Sequence, residues 1–118
     1  YDKPDHYYNL RPNGIPWSSV APAIVFVRGL PWVVAGSPGS QRGFSATAQF
    51  LSSLIDGDLS IDAAMRKPRL YATEDRTIHL EAERFHPDIL TQFEEAGCRI
   101  RRRTPYSFFL GAIHAAMR

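Results

Sequence analysis

Two short runs rich in β-branched and aromatic residues, Ala23 to Val27 and Pro31 to Ala35, flank Arg28-Gly29-Leu30. No other feature constrains the fold as much, because such runs bounded by a glycine-containing turn predict a hairpin of two buried strands. Gly36-Ser37-Pro38-Gly39-Ser40 then breaks the second strand. Beyond it Phe44, Ala48, Leu51 and Ile55 recur at helical spacing, which places one apolar stripe on a helix. Asp56-Gly57-Asp58 supplies its stop.

Ser60 is suited to cap a second, short helix over Ile61 to Arg66, which must end near Lys67 because Pro68 disfavours helical geometry in the residue before it. Ile78, Leu80 and Ala82 alternate with His79 and Glu81, the pattern of a strand with one buried face. Pro87 fits the first turn of a third helix whose Ile89, Leu90, Phe93 and Ala96 are expected to face the core, with Gly97 as its stop. A strand from Cys98 to Arg103 and the apolar run Phe108 to Ala116 complete a β-β-α-α-β-α-β-β order. That order predicts an α+β fold, with helices packed on a mostly antiparallel sheet. Residues 1–17, with Pro4, Pro12, Pro16 and Asn13-Gly14 and no periodicity, read as an irregular N-terminal segment packed on something larger.

At 118 residues and 44% apolar content the chain is expected to form one domain, 1–118. The 14 basic and 12 acidic side chains leave a net charge of +2, mostly dispersed, so there is no global field of the kind a nucleic-acid binder needs. A single cysteine, Cys98, excludes an intrachain disulfide and a cysteine-rich zinc site and leaves the redox compartment open. The longest apolar stretches fall well short of the roughly 20 residues that span a bilayer, so no membrane segment is expected. A start at Tyr1 inside an irregular segment leads to the expectation of a piece of a longer product.

Two loops carry the chemistry. Pro16-Trp17-Ser18-Ser19-Val20-Ala21-Pro22 enters the first strand, and Gly36-Ser37-Pro38-Gly39-Ser40-Gln41-Arg42 leaves the second and opens the long helix. Loops at neighbouring strand ends can face one pocket. The second has the makings of an anion or oxyanion site, since glycine permits unusual backbone angles and a helix N-terminus offers unpaired N–H groups with partial positive charge. The plainer alternative is a strand-to-helix turn. A nucleotide-cradling P-loop is excluded, because Gln41-Arg42 stands where Gly-Lys-Ser/Thr is required.

In linked order and spacing, the Pro-Trp-Ser-Ser-Val-Ala-Pro loop, the hairpin with its Gly29-Leu30-Pro31-Trp32 turn, Gly36-Ser37-Pro38-Gly39, a helix and then Pro68-Arg69 resemble the γ-glutamyltransferase small catalytic subunit. The resemblance implies part of the four-layer αββα sandwich of an N-terminal nucleophile hydrolase. It also implies γ-glutamyl transfer or hydrolysis on glutathione-like donors, with an amino acid, a peptide or water as acceptor, by a threonine exposed through autoprocessing. Ser18 and Ser19 match the paired serines that bind the donor's α-carboxylate, for which short rotatable hydroxyl donors are suited. Gly39 and Ser40 match the residues whose backbone N–H groups form the oxyanion hole. Neither cofactor nor metal is implied, and the partners would be a large subunit and the remainder of the small one. Bacterial members are commonly exported, so a periplasmic or extracellular site follows by analogy alone; the residues fix no compartment.

Departures from the pattern matter as much. The residue at Ser40 is usually glycine in the family, although serine removes no N–H. None of Thr47, Thr73, Thr77, Thr91 or Thr104 stands in the nucleophile's context, and the run at Phe108 is normally followed by further strands, so this chain is expected to be a fragment that is inactive in isolation. Arg69 reads more readily as structural than as functional. His6, His79, His86 and His114 show no metal-ligand spacing. Two rival readings are a non-catalytic structural or interaction domain, and a nucleic-acid or acidic-partner module built on Arg99, Arg101, Arg102 and Arg103. The second is disfavoured because strand geometry divides those arginines between two faces.

Overall fold

The computed structural model describes residues 12–15 and 18–118, so most of the irregular segment expected over 1–17 lies outside the described residues. The hairpin forms as strands β1 (Ala23–Val27) and β2 (Leu30–Gly36). Arg28 and Gly29 both take positive φ, 51° and 79°. That two-residue geometry matches the right-handed twist of the strands it joins. The register slips between Val25 and Phe26, leaving Phe26 opposite Pro31; a bulge tolerates a residue that cannot donate to the ladder.

Helix α1 (Gln41–Ile55) follows, then α2 (Ile61–Arg66), whose first turn is capped by the Ser60 side chain accepting from the Ala63 N–H. Strands β3 (Leu70–Ala72) and β4 (Thr77–Leu80), helix α3 (Pro87–Glu95), and strands β5 (Arg99–Arg102) and β6 (His114–Met117) complete the order, with single 3-10 turns at Ala82–Arg84 and Phe108–Leu110. Gly97, at φ 77°, closes α3: its N–H and that of Cys98 return to the carbonyls of Glu94 and Phe93, a Schellman ending.

The strands form two sheets, β1-β2-β6 and β3-β4-β5. Three pairings are antiparallel and one, β4 with β5, is parallel across the α3 crossover. One core joins Val33, Ala35, Ala46, Phe50, Leu54, Ala64 and Ile113; the other joins Ile78, Leu80, Ala82 and Leu90. Gln49 ties the two halves, its side-chain amide both donating to the Leu70 carbonyl at 2.8 Å and accepting from the Leu70 N–H at 3.1 Å.

Four expectations are corrected. The stripe of Phe44, Ala48, Leu51 and Ile55 is not the main buried face of α1: Phe44 and Ile55 are 61% and 55% exposed and Leu51 alone packs partly on the core, while Gly43, Ala46, Thr47, Phe50, Ser53 and Leu54 face inward. Phe50 and Leu54 anchor that face, the small residues between them let the helix lie close on the sheet, and the hydroxyls of Thr47 and Ser53 are satisfied by the carbonyls one turn back. Glu81 is not on a solvent face, because β4 ends at Leu80 and the 3-10 turn carries its side chain inward, fully buried, to an ion pair with Arg84. Of the residues expected to bury α3, only Leu90 is fully buried and Phe93 partly; Ile89 and Ala96 are exposed. The Phe108 to Ala116 run is no continuous strand, since Gly111, at φ 87°, divides a 3-10 turn from β6.

Candidate functional site

Ser18 and Ser19 lie in the extended segment entering β1; Gly39 and Ser40 form the turn between β2 and α1. The structure brings the two loops together, with Ser19 Oγ donating to Ser40 Oγ at 3.0 Å. Ser18 stands beside that contact without joining it, its Oγ accepting from the Val20 N–H at 3.2 Å. This short local bond orients the hydroxyl of an otherwise exposed side chain.

The turn itself is strained. Gly39 has φ 115°, and Ser40 combines φ 57° with ψ −132°. That combination is glycine territory, and a side chain there costs about 1–3 kcal/mol. The backbone therefore gives a physical reason for the glycine expected at Ser40. The carbonyls of Gly39 and Ser40 accept from the N–H groups of Arg42 (3.1 Å) and Phe44 (3.2 Å). Among the described residues the Gly39 and Ser40 N–H groups have no acceptor. These two donors sit at the positive end of a 15-residue helix whose first turn has no acidic residue to offset the field. Such an arrangement can stabilise a developing negative charge without reorganising.

Gly43 lies directly beneath the turn. A Cβ there would stand 2.6 Å from the carbonyl oxygens of both Ser37 and Pro38, so the close approach of turn to helix requires glycine.

Behind α1 the guanidinium groups of Arg42 and Arg103 stack on the Phe109 ring, 4.3 and 3.7 Å from its centroid. His79 packs against the same ring and its Nδ1 lies 3.0 Å from Arg103 Nη2. Burial, reinforced by the charges of Arg103, Arg101 and Arg42, holds the His79 pKa below the ordinary histidine value. The imidazole is then neutral at pH 7, and Nδ1 accepts the arginine proton. No periodicity in the sequence announced this cluster, which assembles residues from α1, β4 and the segments after β5. Arg69 bridges the carbonyls of Met65 (3.3 Å) and Gly111 (3.1 Å), a structural role as expected. Among the described residues no group of three His, Cys, Asp or Glu side chains could hold a metal ion, and no helix is long and apolar enough to cross a membrane.

The family model for gamma-glutamyltranspeptidase matches residues 1–118. The chain is 34% identical over 90 residues to the glutathione hydrolase proenzyme of Escherichia coli K12, covering 75% of this chain and 15% of that protein. A Bacillus subtilis subsp. natto glutathione hydrolase proenzyme is 30% identical over 90 residues, again 15% of its length. This chain thus spans a small part of those proteins. Among solved structures, a Helicobacter pylori gamma-glutamyltranspeptidase variant superposes with a TM-score of 0.81 at 25% identity, over 92% of this chain and 56% of that one. The Pseudomonas nitroreducens gamma-glutamyltranspeptidase complexed with L-DON gives 0.80 at 22% identity, over 96% and 58%. The fold is therefore the α+β, N-terminal nucleophile hydrolase fold of those structures. With the family model matching from end to end, the chain belongs to the gamma-glutamyltranspeptidase family.

Proposed function

We propose that the protein carrying this chain transfers or hydrolyses γ-glutamyl groups of glutathione-like donors, and that residues 1–118 form one partial domain of its small subunit. The observation that carries this reading is the 3.0 Å contact of Ser19 with Ser40, which joins the Ser18-Ser19 loop to the turn whose two backbone donors have no acceptor among the described residues. Ser18 and Ser19 bind the donor's α-carboxylate. The Gly39 and Ser40 N–H groups receive the charge that forms on the γ-carbonyl oxygen when a threonine hydroxyl, supplied from outside this chain, attacks it. The amine leaves with a proton, and water or an amino acid or peptide takes the acyl group from the threonine. Each oxyanion donor is worth about 3–4 kcal/mol in such a site. The large subunit and the rest of the small subunit complete the pocket.

The exposed apolar sheet face supports the same assembly. Ile24 and Val34 pair across β1 and β2 on the side away from α1 and are 56% and 45% exposed, as expected of a face that another layer covers. The arginine-rich alternative gains no support, because Arg99 is tied to Asp75 while Arg103 packs on Phe109 and His79.

The test is release of the aniline from a γ-glutamyl anilide by the full-length, processed parent and by the 118-residue chain alone. The reading expects turnover from the parent only. Turnover by the isolated chain that Ser18→Ala or Ser19→Ala abolishes would overturn the assignment of the nucleophile to another segment, and an inert, fully processed parent would overturn the activity.

A further inference from the structure

The Gly39-Ser40 turn holds two residues at positive φ, one of them with a side chain. Strain of that kind persists only where the surroundings over-determine the backbone. The helix below supplies part of the constraint through Gly43, and the rest comes from 75 residues further along the chain.

Ser37 Oγ accepts from the Ala112 N–H at 3.0 Å and donates to the Pro38 carbonyl at 2.9 Å. Its single proton and a lone pair are thereby both committed. The segment it grips leaves no slack: Gly111 is buried, and a Cβ there would come within 2.7 Å of Ser37 Oγ and 2.8 Å of Ala46 Cβ. The Gly111 carbonyl is in turn held by Arg69. Ser37 is therefore fixed against both α1 and the segment leading into β6. Only Pro38 separates it from Gly39, and a ring-locked φ passes a displacement on rather than absorbing it.

We propose that Ser37 is a positioning residue for the oxyanion turn: its hydroxyl, bound between Ala112 and Pro38, sets the direction of the Gly39 and Ser40 N–H groups. This rests on the γ-glutamyl-transfer reading of the same turn. Ser37 acts through the backbone, so its loss is felt where negative charge develops and little in binding of the ground state.

The test is Ser37→Ala in the full-length, processed protein, read by steady-state kinetics on a γ-glutamyl anilide, by melting temperature, and by hydrogen exchange of the segments 38–44 and 111–113. We expect kcat and kcat/KM to fall together by about tenfold or more, with KM for the donor within about twofold. Exchange should quicken in both segments while the melting temperature holds nearly steady. Gly111→Ala, which presses on the same hydroxyl, should reduce kcat less than additively when combined with Ser37→Ala. An unchanged kcat, a loss confined to KM, or a kcat loss that merely tracks lowered melting temperature overturns the proposal. So does unaltered exchange at 38–44. If the wild-type protein shows no γ-glutamyl turnover, the functional reading fails, and the exchange measurement decides by itself whether Ser37 holds the turn.

Discussion

Gly43→Ala sets two effects of opposite sign against each other. In an exposed helix the change is stabilising by about 1 kcal/mol, because alanine has less backbone freedom to lose. At Gly43 the new Cβ would stand 2.6 Å from the carbonyl oxygens of Ser37 and Pro38, both backbone atoms. An ordinary carbon–oxygen contact begins near 3.3 Å, so the turn must lift by roughly 0.7 Å. Overpacking of this kind costs about 1–3 kcal/mol, which cancels or outweighs the propensity gain and leaves a net loss of up to about 2 kcal/mol. The catalytic effect is larger, since a misplacement near 1 Å can cost about a hundredfold in rate. The assay compares melting temperature and γ-glutamyl anilide turnover of the full-length protein with those of Gly36→Ala, where a Cβ meets nothing within 4 Å. Gly43→Ala should melt no higher than wild type and up to a few degrees lower, with kcat reduced tenfold or more, as expected of a loss of up to about 2 kcal/mol and a displaced turn; Gly36→Ala should be near wild type. A Gly43→Ala protein that melts higher and keeps its kcat would show that the turn does not rest on the helix as described.

Ser40→Gly removes strain of about 1–3 kcal/mol, against about 0.5–1 kcal/mol of added chain entropy and about 0.5 kcal/mol for an exposed hydroxyl bond. Thermal melting should therefore show a variant as stable as wild type or more so, and a clear loss of stability would contradict the backbone geometry. His79, whose folded pKa lies below its unfolded value, binds fewer protons when folded. Its contribution is complete above the unfolded pKa of about 6.5 and is lost as pH falls below it. Melting temperature should drop from pH 7.5 to 5.5 and His79→Gln should shallow that slope; an equal slope in both proteins would refute the assignment.

The local punctuation of this chain was legible in its sequence. Arg28-Gly29, the Ser60 cap, the stop before Pro68 and the close at Gly97 each follow from backbone chemistry confined to a few residues, and each stands where the sequence placed it. The misread features depend on what packs where. Phe44 and Ile55 are apolar yet exposed, because the sheet takes the face of Phe50 and Leu54, on which Thr47 and Ser53 are satisfied internally. Likewise Glu81 enters the interior only because Arg84, one turn on, accompanies it. Strand β3, only three residues long and starting two residues after Pro68, has too short a pattern to read. At the site, linked motifs singled out Ser18, Ser19, Gly39 and Ser40, and the structure brings Ser19 to Ser40. Ser37 stood inside the same loop, but its role was not legible because its partner lies 75 residues away in an apolar run.

The central claim is that the Ser18-Ser19 segment grips a donor carboxylate beside an oxyanion turn. It is tested most directly by donor discrimination in the full-length protein. Turnover of a γ-glutamyl anilide is compared with that of the matching 4-aminobutyryl anilide, which differs only in lacking the α-carboxylate. A hydrogen bond to a charged group is worth about 1.5–3 kcal/mol, so wild type should prefer the carboxylate-bearing donor by at least tenfold per hydroxyl. The Ser18→Ala/Ser19→Ala protein should lose most of that preference by a rise in KM for the γ-glutamyl donor, with the decarboxylated donor unaffected. A preference that survives both substitutions unchanged would contradict the account.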